Sequence, residues 1–428
     1  MGGSVQQASS HDGARLRWLF LDLNAYFASV EQQENPRLRG RPIIVTPVAS
    51  EGTCAIAASY EAKAFGIRTG TPVYEARRMC PGLIAVNARH DVYVEYHHRV
   101  VDESERHLHV TKVESVDEVA CELLGAERRV ENAVALASEV QQGILKRVGE
   151  CLRSSVGLAP SVLLAKTASD MKKPAGLTVL GADRLPEAIL GLDLGDLPGI
   201  GRSMERRLNA AGVPDIATLW ALSPSRARGI WGSIGGERFW YALHGIDPPE
   251  IETHRQSIGH SHVLGPALRN RVAAYRVARR LLARASSRLR RAEHKAGKLA
   301  LWLRVEGEGN RESVARLPHT ADTFSLLSVL DHLWNDIVRP GEVLPVKHVG
   351  ITLLDLIPVA DIAPDLFGWT PDVEERPERL RLSLAIDCLN QRYGCDTVSI
   401  GATPTGLPAY MGAKVAFNRI PERKDFSG

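Results

Sequence analysis

One carboxylate inside an apolar run constrains this chain more than any other feature. Trp18-Leu19-Phe20-Leu21-Asp22-Leu23 has strand length, and its only charge, Asp22, stands near the carboxyl end. From Ala25 to Gln33 the pattern predicts a helix, with Asn24 in the N-cap position. A carboxylate where a buried strand passes into a helix is costly unless something pairs with it. The helix start offers free N–H groups and the positive end of a dipole, both suited to phosphate. Asp22 would then hold a metal while the turn after it holds the phosphates that the metal bridges. An Asp that merely closes a strand ahead of a capped helix fits the same stretch.

A chain of 428 residues exceeds one ordinary core, so two to four domains are expected. Apolar and charged fractions of 44% and 24% are those of a globular protein, and a net charge of +3 says little about partners. The six cysteines are scattered, with no CxxC pair and no ligand-like histidine spacing, which predicts reduced thiols without a disulfide framework or zinc site. Residues 1–14 are small and polar without an apolar signal region, and are expected to be disordered. No apolar run approaches membrane-spanning length. A cytoplasmic protein is the expectation.

Arg41 to Val45 predicts a second strand. Cys54 to Ser59, all small or apolar, runs from strand into the helix that carries Tyr60-Glu61-Ala62-Lys63. Small residues there let a flat ligand approach the backbone. Tyr60 and Lys63, one turn apart, point the same way, and the lysine could reach a triphosphate as a point charge; a solvated lysine fits as well.

Alternation reads Thr111 to Leu123 as one strand, with Asp117 and Glu118 adjacent in its middle. Two such carboxylates between apolar neighbours conflict in a core. A divalent cation relieves the conflict, and oxygen ligands without nearby His or Cys favour Mg²⁺ over zinc. An exposed edge strand would tolerate the pair too.

Further on, Leu152 to Pro160 predicts strand and turn, and Ser161 to Met171 a helix carrying Lys166. Lys173 is held by the stop at Pro174. Pro198-Gly199-Ile200-Gly201 has helix-hairpin-helix character, and such a turn can grip a DNA phosphate through backbone N–H groups. Residues 247–256 predict a linker. A helix over 269–298 then carries eleven Lys and Arg against one acid, Glu293. Arg276, Arg280, Arg284 and Arg288 form an i, i+4 row on it, and so one-sided a helix suffers like-charge repulsion unless it faces a polyanion. Later strands complete a four-stranded α+β domain. Leu366-Phe367, in a polar tail, predicts a docking peptide, or a loop folded back on its own domain.

These stretches together resemble the Y-family translesion DNA polymerases over residues 17–357. The resemblance rests on Asp22-Leu23-Asn24-Ala25-Tyr26-Phe27, Tyr60-Glu61-Ala62-Lys63, Ser115-Val116-Asp117-Glu118, Ser155-Val156-Gly157 with Ala165-Lys166, Lys173-Pro174-Ala175-Gly176, Pro198-Gly199-Ile200-Gly201 and Ser257-Ile258-Gly259-His260. It implies a multi-domain α+β right hand: palm at 15–27 and 92–180, short fingers at 28–91, helix-hairpin-helix thumb at 181–246, linker at 247–256, little finger at 257–357 and a C-terminal tail at 358–428.

The resemblance also implies roles. Asp22, Asp117 and Glu118 look like the palm carboxylates that bind two Mg²⁺ ions, with Mn²⁺ as a substitute. Leu23, Tyr26, Phe27, Tyr60, Lys63 and Lys173 match nucleotide contacts, and Phe27 falls at the steric gate against ribonucleotides. Gly199, Gly201 and the four arginines would contact DNA. The implied reaction adds deoxynucleotides to a primer 3′-hydroxyl on damaged or undamaged template, at low fidelity and without proofreading. Primer-template DNA and deoxynucleoside triphosphates are the expected partners of a monomer, with a sliding clamp (through Leu366 and Phe367) and recombination or SOS accessory proteins as further ones. Lys63 in place of the usual Arg, and Asn24 in place of a frequent Asp, resemble the UmuC branch. A non-catalytic relative that binds DNA and recruits repair factors is the alternative, although it would be expected to have lost some of the three acids.

Overall fold

The computed structural model describes residues 16–49, 51–249, 256–339, 341–342, 344–361, 377–394, 396–401 and 420. They divide into two units, 16–249 with Ile420, and 256–401. The expected linker straddles the division, and residues 250–255 of it lie outside the described ones.

The apolar run at the head of the chain is strand β1 (Trp18–Leu23), buried along its whole length. It is followed by α1 (Tyr26–Glu34), β2 (Ile43–Thr46), β3 (Ala57–Ala58), α2 (Tyr60–Lys63), α3 (Val73–Met79), β4 (Ile84–Asn87) and α4 (His90–Glu105). Next come β5 (Lys112–Ser115), β6 (Glu118–Glu122), α5 (Val130–Gly143), β7 (Ser154–Ala159), α6 (Val162–Met171) and β8 (Leu177–Val179). Four short helices end the unit: α7 (Arg202–Ala210), α8 (Ile216–Trp220), α9 (Pro224–Trp231) and α10 (Ile234–Leu243).

β1 is the middle strand of a five-stranded sheet ordered β5-β6-β1-β7-β8. A strand covered on both faces needs apolar side chains on both, which is why its sequence shows no alternation. Leu19, Leu21 and Leu23 enter the core shared with α1, α4 and α5. Trp18 and Phe20 enter the opposite core, with Leu164, Ala165 and Ala168 of α6 and the helices after it. Asp22 keeps the parity of Phe20 and so belongs to the α6 face. α6 lies close on β7 because Gly157 has no Cβ; one there would strike the Ala165 carbonyl. A second, three-stranded sheet, β3-β2-β4, has its own small core with α2 and α3 and occupies the stretch expected as fingers.

Two expectations in this unit need correction. Asn24 does not cap α1: Ala25 holds that place, in a left-handed conformation (φ 50°) with no side-chain cap. The Asn24 amide is engaged across the sheet instead. Thr111 to Leu123 is not one strand either. Ser115 pairs with Glu118, so β5 and β6 form a hairpin around the two-residue turn Val116-Asp117. Asp117 thus stands at a turn and Glu118 opens the returning strand, which removes the mid-strand conflict that alternation implied.

The second unit runs β9 (Ser257–Val263), α11 (Arg271–Arg291), β10 (His294–Val305), β11 (Gly309–Thr320), α12 (Thr323–Ile337), β12 (Val346–Pro358) and α13 (Pro377–Tyr393). Its four strands pair antiparallel in the order β11-β10-β12-β9. The apolar stripes of α11 and α12 pack on one sheet face through Leu299, Leu301, Leu303, Val349, Ile351 and Leu353. The expected helix over 269–298 stops at Arg291; Glu293 turns the chain at φ 55°, and residues 294–298 begin β10, where Ala296 is buried. Part of the expected tail also belongs here. α13 packs on α11 and α12, and Ser383 is buried with its Oγ accepting from the Thr323 N–H. Leu366 and Phe367 lie outside the described residues.

Candidate active site

The sheet register places Asp22 of β1 directly opposite Glu118 of β6 and, on its other side, opposite Ser155 of β7. The hairpin turn is tied to the same strand, since the Leu23 N–H donates to the Asp117 carbonyl at 2.9 Å. Ser115 Oγ then donates to Asp117 Oδ1 (2.6 Å) and lies 3.3 Å from Glu118 Oε2. His97 braces the turn from α4, with Nδ1 2.8 Å from the Val116 carbonyl. Three acids far apart in the chain are therefore gathered at the carboxyl end of β1.

Two ammonium groups meet them. Lys173 Nζ lies 2.7 Å from Asp22 Oδ2 and 2.7 Å from Asp170 Oδ1, and Lys166 Nζ lies 2.9 Å from Glu118 Oε2. Burial pushes the Asp22 carboxyl up to about 7; Lys173 pulls it down, and Asp117 and Glu118 add to the rise. Asp117 is raised as well, by burial first and by Glu118 after the opposing Ser115 hydrogen bond. Lys173 is raised despite its own burial, by Asp22 and Asp170. The lysines thus leave Asp22 and Asp117 under-compensated.

Among the described residues no three His, Cys, Asp or Glu side chains are already set around one metal position, and the ammonium groups hold the carboxylates instead. The donor set nonetheless fits a hard divalent cation. It is all oxygen and carries up to three negative charges in a largely buried place. Its raised carboxyl groups show that further positive charge would be stabilising there.

The nucleotide candidates fall into two groups. Tyr60 and Lys63 reach this place from α2, which Ser59 caps by accepting from the Ala62 N–H. Lys63 Nζ sits 4.4 Å over the Tyr60 ring. Burial lowers Lys63, with Lys173 lowering it further and Asp22 opposing; burial raises Tyr60, which Lys173 and Asp22 also influence. Both therefore share the electrostatic field of the acids. The side chains of Leu23 and Tyr26, by contrast, are core: both are buried, and the Tyr26 hydroxyl donates to the Tyr93 carbonyl at 2.6 Å. Only their backbone is left to serve a ligand, a correction to any side-chain role. Phe27 stacks on Tyr93 at 4.4 Å between centroids. Tyr93 is pinned in turn, its hydroxyl donating to Glu31 Oε1 at 2.8 Å, and Arg89 grips that same carboxylate with two N–H groups.

The DNA candidates are placed unevenly. Gly199 (φ 92°) and Gly201 flank buried Ile200, and Gly201 leads directly into α7. The arginine row on α11 is largely engaged within its own unit. Asp396 takes Arg280 (2.9 and 2.5 Å) and Arg284 (2.5 Å), and Arg288 donates to the Gly259 carbonyl at 3.0 Å. The acids missing from the helix's own stretch are supplied from beyond it, Asp396 here and Asp387 for Arg290. The sheet face away from α11 and α12 instead carries Lys298, Arg304 and Arg316, which follow the opposite parity from the core leucines.

A carboxylate cluster at the end of a central antiparallel strand, with lysines beside it and α2 bringing a further lysine and a tyrosine, is an arrangement that fits a nucleotidyltransferase. Sequence models agree: residues 21–170 match the impB/mucB/samB family and residues 255–366 match its C-terminal domain. DNA polymerase IV of Moorella thermoacetica is 33% identical over 402 residues, 92% of this chain and 98% of that protein. DNA polymerase IV 1 of Bacillus subtilis is 30% identical over 401 residues, 90% and 92% of the two chains. Among solved structures, the Y-family DNA polymerase chimera Dbh-Dpo4(243-245)-Dbh matches 80% of this chain and 99% of its own, with a TM-score of 0.66 at 23% identity, a likeness of fold. The chain belongs to the impB/mucB/samB family, the Y-family DNA polymerases, and is a DNA-directed DNA polymerase of the translesion type. Enzymes of this family depend on divalent metal ions.

Proposed function

We propose that the acids at the end of β1 are the catalytic carboxylates of this polymerase, and that it copies primer-template DNA past lesions from deoxynucleoside triphosphates. The observation that carries this reading is the register of Asp22 opposite Glu118, with Asp117 turned in beside them. Asp22, Asp117 and Glu118 would hold two Mg²⁺ ions, for which Mn²⁺ can substitute; bound there, the ions would supply Lewis acidity toward the primer 3′-hydroxyl and positive charge toward the departing pyrophosphate.

The chain's own residues do the rest. Lys173 and Lys63 attract the triphosphate, and Lys173 exchanges Asp22 for a phosphate oxygen as the nucleotide arrives. The first N–H groups of α1, unused by the helix ladder, face the same charge. Phe27, backed by Tyr93, closes the space where a 2′-hydroxyl would lie. Lys166 orients Glu118 through their 2.9 Å ion pair. In phosphoryl transfer such positioning and charge stabilisation supply most of the acceleration. The small residues from Cys54 to Ser59 leave room over the nascent pair, which suits bulky or damaged template bases.

Gly199 and Gly201 offer backbone N–H groups to a DNA phosphate. The sheet face of the second unit with exposed Arg304 and Arg316, and with Lys298 3.7 Å from Asp355, is a better DNA surface than the α11 row, because Asp396 holds two of that row's arginines. The relatives support the DNA polymerase IV branch; Lys63 and Asn24, which resemble UmuC, are then local departures within it. We place the enzyme in the cytoplasm as a monomer. A sliding clamp is the further partner, reached through residues 366–367. Primer extension on damaged and undamaged templates, with and without Mg²⁺, tests the whole reading. Mg²⁺-dependent extension past the lesion is expected, and DNA binding without extension would favour a non-catalytic accessory role.

A further inference from the structure

Lys173 is the cation on Asp22, yet it sits on a loop, and something must hold that loop to within the length of a hydrogen bond. The backbone of the loop is fixed at two points. The Gly176 carbonyl accepts from the Val156 N–H at 2.9 Å, the ordinary ladder of β7 and β8. The Ala175 N–H donates to Asn24 Oδ1 at 2.7 Å. Ala175 is a non-glycine residue at φ 57°, a conformation that costs energy and persists only where neighbours impose it. Asn24 holds it here through that hydrogen bond.

The Asn24 side chain is itself clamped. It is 2% exposed, its Nδ2 donates to Ser155 Oγ at 3.0 Å, and Ser155 is fully buried opposite Asp22 on β7. Its backbone is taken as well, the N–H by the Arg153 carbonyl and the carbonyl by Ser29 Oγ, both at 2.8 Å. Asn24 therefore joins the strand that carries Asp22 to the loop that carries Lys173. The acceptor of the amide serves Ala175 while its donor end satisfies Ser155.

We propose that Asn24 is a positioning residue: it sets Lys173, and through Lys173 the triphosphate of the incoming nucleotide. The proposal rests on the polymerase reading above. Without Asn24 the Ala175 N–H is left unpaired, the left-handed turn relaxes and the ammonium drifts from its place, so nucleotide affinity falls while the DNA surfaces are untouched.

The test is equilibrium binding of a complementary deoxynucleoside triphosphate to full-length protein on a 3′-dideoxy-terminated primer-template with Mg²⁺. In Asn24→Ala the nucleotide affinity is expected to fall about tenfold, the scale of one misplaced polar group, with primer-template affinity unchanged. Asn24→Asp keeps the acceptor for Ala175 and should recover most of that loss. Unchanged nucleotide affinity in Asn24→Ala overturns the proposal. So does a parallel loss of nucleotide binding, DNA binding and melting temperature that Asn24→Asp does not repair, because that is the behaviour of a merely structural residue. A parent protein that binds DNA but no templated nucleotide would defeat the polymerase reading, and this inference with it.

Discussion

Asp22 and Glu118 face each other across β1 and β6, and each carries its own lysine, Lys173 at 2.7 Å and Lys166 at 2.9 Å. The two pairs differ in surroundings. Lys173 is shared with Asp170 and lies in the field of Lys63 from α2; on the proposed reading its charge is divided between the acids and an incoming triphosphate. Lys166 lies over the Phe20 ring, 5.5 Å from its centroid, and has Glu118 as its ion-pair partner. One lysine is set to exchange partners and the other to stay.

That difference predicts separable kinetics. Lys173→Ala should raise KM for the nucleotide by roughly tenfold or more, the scale of one charge-assisted hydrogen bond. Lys166→Ala should act mainly on kcat by disturbing Glu118. Steady-state single-nucleotide incorporation separates the two, and identical effects on both parameters would contradict the assignment.

Phe27 has a rigid backing, because Tyr93 stacks on it and is locked by Glu31. Phe27→Ala should admit ribonucleotides, lowering discrimination against them by roughly a hundredfold, the scale on which a pocket rejects one small group by shape. Competition between dATP and ATP opposite the same template base measures it. Tyr93→Ala, which removes the backing alone, should lower discrimination by less.

The arginines divide into two kinds. Arg280 and Arg284 are ion-paired and mostly covered, with side chains 15% and 25% exposed. Asp396→Ala should therefore destabilise the protein by about 2 kcal/mol, since it leaves two guanidinium groups without their carboxylate. Arg280→Ala with Arg284→Ala should leave the salt dependence of DNA binding nearly unchanged. Replacing Lys298, Arg304 and Arg316 by Ala should lower the slope of log K against log salt by about one for each phosphate no longer neutralised. Fluorescence anisotropy across a salt series checks both.

The stability contributed by two buried histidines should fall on mild acidification, while the raised Asp22 and Asp117 carboxyl groups act in the opposite direction. Burial pushes His97 from 6.5 down to about 4, and it pushes His260 in the second unit to about 4 as well, with Arg284 and Arg288 adding to the effect. Between those pH values the unfolded chain binds the protons and the folded one does not, so the contribution is full above pH 6.5 and is lost as pH drops toward 4. The denaturation midpoint of His97→Gln, which still donates to Val116, should depend less on pH in that range than the parent's.

Much of this was legible in the sequence for a physical reason. A buried strand with one acid at its end, and a pair of acids followed by an apolar run, are local patterns, and so are the stop at Pro174 and the stripe of α11. What escaped depends on distance or on rare backbone. Asp396 lies 116 residues from Arg280, so no reading of the helix alone could balance its charge. The Val116-Asp117 turn carries neither glycine nor asparagine, and period-two alternation passes through it unbroken. Ala25 takes a left-handed φ that alanine's preferences disfavour, which moved the helix cap off Asn24 and released its amide to hold Ala175.

On the proposed reading, Asp22, Asp117 and Glu118 act together on the incoming nucleotide. Its most direct test is single-turnover incorporation by Asp22→Asn, Asp117→Asn and Glu118→Gln on a defined primer-template with Mg²⁺, with DNA affinity measured in parallel. Each incorporation rate is expected to fall by roughly a thousandfold or more while DNA affinity holds. Near-parental rates in any one of the three would contradict it.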